Sequence, residues 1–164
     1  MSATDASLIP ASPSAPETIA WWAAATPDAP ALLGTRDDPV SYAELQARIE
    51  DFALQLTSRG LGRTDRVVLA LPDGLAAVVA GLATIRTAIA VPVNPAQPRA
   101  EAVPILATVA PRLVVVAQGA ETDYRESAML ANIPVISLDP AGILSRDGDG
   151  SPILTSAPTS AHAG

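Results

Sequence analysis

The chain has 164 residues, the size of one ordinary domain, of which 49% are hydrophobic and only 3% aromatic. A core of that composition must be packed from Ala, Val, Leu and Ile rather than from large rings. The formal net charge of -7 excludes the broad basic surface that nucleic acid requires.

In chain order, residues 1–16 carry Ser, Ala and Pro without periodicity and read as a flexible leader. A short helix is expected from Pro16 to Ala25, stopped by Thr26-Pro27-Asp28-Ala29-Pro30. Ala31–Gly34 and Pro39–Val40 read as two short strands around an Arg36-Asp37-Asp38 turn. Ser41 followed by Glu44 is a capping box, Leu45, Ile49, Phe52 and Leu56 follow at helical spacing, and Gly60 closes the helix. Arg66–Leu71 is a buried strand stopped by Pro72, and Gly74–Thr87 a helix with Leu75, Val78, Val79, Leu82 and Ile85 on one face. Ala88–Val93 is the next strand. In the helix expected over Arg99–Ala110, Pro104 loses a hydrogen bond if it lies inside, so the regular helix is expected to begin near Pro104. Leu113–Ala117 (strand), Glu121–Ala131 (helix) and Ile133–Leu138 (strand) complete the pattern, and residues 141–164 read as a linker or tail rich in Gly, Ser, Asp, Thr and Pro.

Apolar strands alternating with helices imply a small, doubly wound, mostly parallel α/β sheet covered on both faces. Right-handed crossovers bring the strand carboxyl ends to one edge, where ligands of open α/β sheets bind. Asp73 and Asn94 leave the sheet there and are the weak candidate ligand-binding residues, although Asp, Asn and Pro are also ordinary turn formers. Arg59, Arg63 and Arg66 form a second candidate cluster, for which a solvated loop with local Asp65 pairing is the simpler reading. Trp21 and Trp22 are adjacent on a helix and point about 100° apart, so both cannot face one core.

Several chemistries lack their residues. Without cysteine there is no disulfide, thiolate nucleophile or Cys-ligated zinc, which fits a cytoplasmic, reducing setting. No catalytic or metal-ligating set is expected. The N-terminus lacks a basic stretch followed by an apolar one, so no secretory signal is expected. No apolar run reaches the roughly eighteen residues of a membrane span. All ten basic residues are Arg, and the single histidine is His162. A Walker-type phosphate loop or a Schiff-base site needs the lysine this chain lacks. Nor does a dinucleotide-binding glycine fingerprint follow the first parallel strand, where Leu71-Pro72-Asp73-Gly74 stands instead.

Five strings in order carry a resemblance: Thr26-Pro27-Asp28-Ala29-Pro30-Ala31-Leu32, Ser41-Tyr42-Ala43-Glu44-Leu45, Arg59-Gly60-Leu61-Gly62-Arg63-Thr64-Asp65-Arg66-Val67, Leu71-Pro72-Asp73 and Val91-Pro92-Val93-Asn94-Pro95. The series resembles the N-terminal region of the adenylate-forming superfamily, which includes acyl-CoA synthetases, adenylation domains of nonribosomal peptide synthetases and luciferases. The resemblance spans residues 19–140 and implies the first subdomain of the large domain, cut before its active site. For the full-length parent it implies ATP, Mg and CoA, an acyl-adenylate intermediate and a ligase activity. For this chain alone it implies no cofactor, no catalysis, the remainder of the parent as partner, and self-association through surfaces that truncation exposes. The family's phosphate loop ends in Pro-Lys. Residues 155–164 can be laid over that loop, but Ala157 and Ser160 replace its glycines and Ala163 its lysine, so the match is read as chance. Arg86-Thr87-Ala88-Ile89 also departs from the family's Ala-Gly-Ala between helix and strand. The alternative is a stand-alone α/β interaction or ligand-binding module, and the acid substrate is not legible.

Overall fold

The structure is a computed structural model that describes residues 14–33, 39–140, 142 and 144–145. The expected Arg36-Asp37-Asp38 turn and the 155–164 segment lie outside the described residues.

Helix α1 (Ala15–Ala25) begins two residues inside the expected leader and buries Pro16 in its first turn. Glu17 Oε2 accepts from both the backbone N–H and the hydroxyl of Ser14, each at 2.7 Å. Those bonds hold the Glu17 carboxyl below its usual pKa. Strands β1 (Pro30–Leu32) and β2 (Val40–Ser41) pair antiparallel as a separate two-stranded sheet.

Helix α2 (Tyr42–Ser58) starts on Ser41, whose hydroxyl accepts the Glu44 N–H at 3.2 Å. Only half of the expected capping box forms, because the Glu44 carboxylate pairs instead with Arg48 one turn on. At the other end, the Gly60 N–H donates to Thr57 O (2.9 Å) and the Leu61 N–H to Leu56 O (3.2 Å). This is a complete Schellman stop, and both Leu61 and Leu56 are buried in one cluster. Gly60 takes a φ of 76° that an L side chain strains to adopt.

The main sheet has the order β4-β3-β5-β6-β7. Its strands are β3 (Arg66–Ala70), β4 (Ile89–Pro92), β5 (Leu113–Ala117), β6 (Val135–Leu138) and β7 (Leu144–Ser145). The first four pair in parallel, and β7 adds an antiparallel edge. The sheet therefore runs on past residue 140, where the sequence reading ends the folded unit. The helices between strands are α3 (Leu75–Thr87), α4 (Arg99–Val109) and α5 (Asp123–Leu130).

Strand alternation divides the core in two. Val67 and Leu69 of β3, Leu113 and Val115 of β5, and Ile136 and Leu138 of β6 pack with α2 and α3. Val68 and Ala70, Val114 and Val116, and Val135 pack with α4 and α5. The α3 surface is built from small residues: Ala80 and Ala83 are wholly buried, and α2 packs closely across them.

The regular helix α4 starts at Arg99, five residues before the expected start, and Pro104 lies inside it. A mid-helix proline costs about 3 kcal/mol or more, and the offset is tertiary. The Arg99 N–H donates to Asp123 Oδ2 (2.8 Å), and Gln97 Nε2 donates to Glu101 Oε2 (3.0 Å). Both bonds hold the first turn from outside the helix, while Pro104 itself is exposed. No helix among the described residues is long and apolar enough to cross a membrane.

Gly142, at φ 82°, packs against α3, where an added Cβ would lie 3.2 Å from Val79 Cβ and Cγ2. Gly60→Ala, whose new methyl meets open space, is expected to cost about 1–2 kcal/mol from its backbone conformation alone. Gly142→Ala carries that penalty plus the clash and should lose more. Urea unfolding midpoints measure both, and equal losses would contradict the packing assigned to Gly142.

Candidate functional site

A doubly wound sheet places its loops by strand order, not by chain order. Strand β3 lies between β4 and β5, with α3 leaving it across one face and the return helix α4 crossing the other. The topological switch therefore falls between the carboxyl ends of β3 and β5, the usual ligand crevice of such sheets. Pro72-Asp73 leaves β3 at that edge and Gln118-Gly119 leaves β5. Sequence reading pointed to β3 and β4 and missed Gln118-Gly119, because strand order is set by long-range pairing that no local motif records.

Asp73 and Asn94 do meet on one feature. Both line an open groove of about 820 Å³, whose walls are Leu69, Leu71, Pro72, Ala77, Gly81, Ile85, Ala90, Pro92, Val93 and Pro95. The groove runs along the outer strand β4 beside α3. Asp73 is exposed and supplies the only charge among these residues. Asn94 Oδ1 accepts the Ala96 N–H at 3.0 Å, and the Asn94 carbonyl accepts the Gln97 N–H at 3.2 Å. The Asn94 side chain thus shapes its own turn.

The arginine trio does not converge. Arg59 Nη1 donates to the Gln55 carbonyl at 2.9 Å, closing its own helix. Arg66 Nη1 reaches Val109 O at 3.4 Å. Arg63 lines a different cleft with Arg86 and Glu17. Asp65 pairs with none of the three; its carboxylate accepts from Arg112 Nη1 at 3.2 Å and from the Gly62 N–H at 2.8 Å. The expected local pairing is replaced by one 47 residues distant, because β5 lies beside β3 and brings its leading residue to the loop before β3.

The loop after β4 is held down by a buried ring. Tyr124 is fully buried in the α4–α5 cluster, and its hydroxyl donates to Gln97 Oε1 at 2.7 Å. Burial, and then the negative charge of Glu101, push the Tyr124 hydroxyl pKa up. The two tryptophans share no core position. They meet edge to face at 4.6 Å, and Trp22 stacks on Tyr42 at 5.9 Å, all three half-buried.

The groove beside β4 offers an apolar wall and one carboxylate, which repels phosphate, and the chain has no lysine to place there. Among the described residues no group of three or more His, Cys, Asp or Glu could hold a metal ion.

Two outcomes test these assignments. Asn94→Ala should lower stability by about 0.5–1.5 kcal/mol, whereas Asp73→Ala should change it by less than about 0.5 kcal/mol, both read from urea unfolding. Tyr124 keeps its proton to higher pH in the folded chain than in the unfolded one. Its stabilisation is accordingly full below the usual value of 10.0 and is lost as pH rises through the higher folded value. Tyr124→Phe should remove that alkaline slope, measured as melting temperature against pH.

Comparison with known proteins agrees with this architecture. Residues 19–158 match the family described as AMP-binding enzyme. The probable non-canonical nonribosomal peptide synthetase CymA of Salinispora arenicola strain CNS-205 is 36% identical over 126 residues, 76% of this chain and 2% of that protein. The acyl-CoA synthetase FUM10 of Gibberella moniliformis strain M3125 is 34% identical over 113 residues, 66% of this chain and 20% of that protein. Among solved structures, apo MatB from Rhodopseudomonas palustris superposes with a TM-score of 0.63 at 31% identity, covering 73% of this chain and 24% of MatB. The chain thus spans a quarter or less of each of these relatives. With its four parallel strands and flanking helices similar to the N-terminal subdomain of adenylate-forming enzymes, the chain belongs to the AMP-binding enzyme family.

Proposed function

We propose that this chain is the N-terminal scaffold of an ATP-dependent, carboxylic-acid-activating ligase and is catalytically silent by itself. The parent enzyme joins a carboxylate to the α-phosphate of ATP with Mg, giving an acyl-adenylate and pyrophosphate, and then transfers the acyl group to CoA. The observation that carries the reading is a pairing: a family match across residues 19–158 in a chain with no lysine and an apolar, singly acidic groove at its carboxyl edge. Such a piece supplies fold and packing surface, while the phosphate-binding groups come from the rest of the parent. CoA as the acceptor is favoured by the likeness to FUM10, an acyl-CoA synthetase. CymA, a peptide synthetase, makes a carrier-bound thiol the competing acceptor. A cytoplasmic setting suits a chain without cysteine. Asp73 and Asn94 enter this reading as wall and turn residues at the edge where the remainder packs.

A second reading, a stand-alone interaction module, draws on the same groove, because an apolar trough beside an outer strand is a surface that partners cover. In a parallel pair, alternate residues of an outer strand turn their backbone groups to the open side. The N–H groups of Ile89 and Val93 are bound to Asp65 and Leu69 of the β3 side, so Ala90 and Pro92 face outward. Pro92 offers no N–H there, which blunts strand addition and favours a partner that packs by side chains.

Pyrophosphate release from ATP, assayed with a panel of fatty, aryl, dicarboxylic and amino acids, should be undetectable for the purified 164-residue chain. Acid-dependent release would overturn the silent-scaffold reading. An antibody raised against the chain should detect in its source a polypeptide several times larger than 16.7 kDa. A band at that mass would favour the module.

A further inference from the structure

Parallel pairing of β3 with β4 sets Arg66 beside Ile89 at the amino ends of the two strands. Arg63 and Arg86 each stand three residues before one member of that pair, so the register carries both arginines to the same end of the sheet. Helix α1 packs against α3, and a cleft of about 500 Å³ opens between them, within the range of about 300–1,000 Å³ usual for ligand pockets. Its apolar walls are Pro16, Ala20 and Ile85, and its charges are Glu17, Arg63 and Arg86.

The two guanidinium groups are uncommitted. Arg48, Arg59, Arg66, Arg112 and Arg125 each donate a side-chain hydrogen bond to another group of the chain. Arg63 has no hydrogen bond or ion pair among the described residues. Arg86 makes one approach, 4.0 Å to Glu50, with both side chains partly open to water, where such pairs contribute little. Glu17, the one carboxylate in the cleft, is engaged elsewhere: its Oε2 accepts the N–H and the hydroxyl of Ser14, each at 2.7 Å, which caps α1. It pairs with neither arginine. Both arginines are exposed, so their positive charge is open to a molecule from outside. With two positive charges and one negative on the lining, a single further negative charge balances the cleft. Ile85, 53% exposed, adds apolar surface beside them.

We propose that this cleft binds a small organic monoanion of the aryl carboxylate class, with the carboxylate between Arg63 and Arg86 and the ring against Ile85 and Ala20. A guanidinium presents paired N–H donors that match the two oxygens of a carboxylate. A rigid ring covers the short apolar wall without the rotamer freedom that a flexible chain would lose. Cations of the same size meet like charge. The inference does not rest on the adenylation reading: Asp73 and Asn94 leave the opposite, carboxyl ends of the strands, and of the residues lining this cleft only Ile85 also borders the groove beside β4.

The test is titration of the isotopically labelled 164-residue chain with 4-ethylbenzoate, neutral 4-ethylbenzamide and cationic 4-ethylbenzylamine at neutral pH and low salt, followed by amide chemical shifts. Saturable shifts centred on residues 14–20, 63 and 85–86 are expected for the benzoate, with weaker binding of the benzamide and none of the amine. Arg63→Gln and Arg86→Gln should each weaken the benzoate about two- to fivefold, the range of one exposed ion pair, and leave the benzamide unchanged. Glu17→Gln, which keeps a residue that serves in capping boxes, should tighten the benzoate by removing the opposing charge. Arg99→Gln, at an arginine outside the cleft, should leave its affinity unchanged. Absence of saturable shifts, shifts centred elsewhere, or equal affinity for benzoate and benzamide would each overturn the proposal. So would a loss in Arg99→Gln as large as in Arg63→Gln, which would mark general attraction to positive charge.

Discussion

The alternating burial of β3 and β5 is the constraint on which the other features rest. Each strand turns successive residues to opposite faces, and both faces are packed, so every position from Val67 to Ala70 and from Leu113 to Val116 is buried. A one-residue slip of either strand would exchange the two sets, sending Leu69 and Val115 toward α4 and α5, where Ala70 and Val116 now fit. The pairing of Leu69 with Val115 and of Ala70 with Val116 thereby fixes where each helix lies, and with it the loops at both ends of the sheet.

Small residues make this packing possible in a chain nearly without aromatic rings. Helix α3 sits close to α2 because Ala80 and Ala83 present little bulk, and the Gly142 backbone can rest on Val79 for the same reason. The one large polar ring in the second cluster, Tyr124, spans from the interior to the loop after β4 through Gln97. That bond and the Arg99–Asp123 contact tie the α4 entrance to α5, so a helix containing proline starts where isolated helix chemistry would not begin it.

The carboxyl edge follows from the same geometry. The switch between β3 and β5 creates the customary crevice, bordered by Pro72-Asp73 and Gln118-Gly119, while Asn94, engaged with its own backbone, follows the outer strand β4. Arginines that are neighbours in sequence point to separate tasks, closing a helix, contacting the end of α4 and lining another cleft. The sheet thereby offers surfaces for packing and an apolar groove beside β4.

Local chemistry in the sequence determined nearly every element. The Ser41 cap, the Gly60 stop, the Pro72 break and the valine run of β5 are each decided by residues within a few positions, and backbone sterics and side-chain period act over that range. The lysine deficit was equally plain from composition, and the ordered strings pointed to the family. Tertiary structure alone decided the rest: the strand order that moves the switch point to β3 and β5, the pairing of Asp65 with Arg112, the entry of Pro104 into α4, and the added strand β7. Each of these depends on contacts between residues far apart in the chain, whose energies no local pattern of side chains encodes.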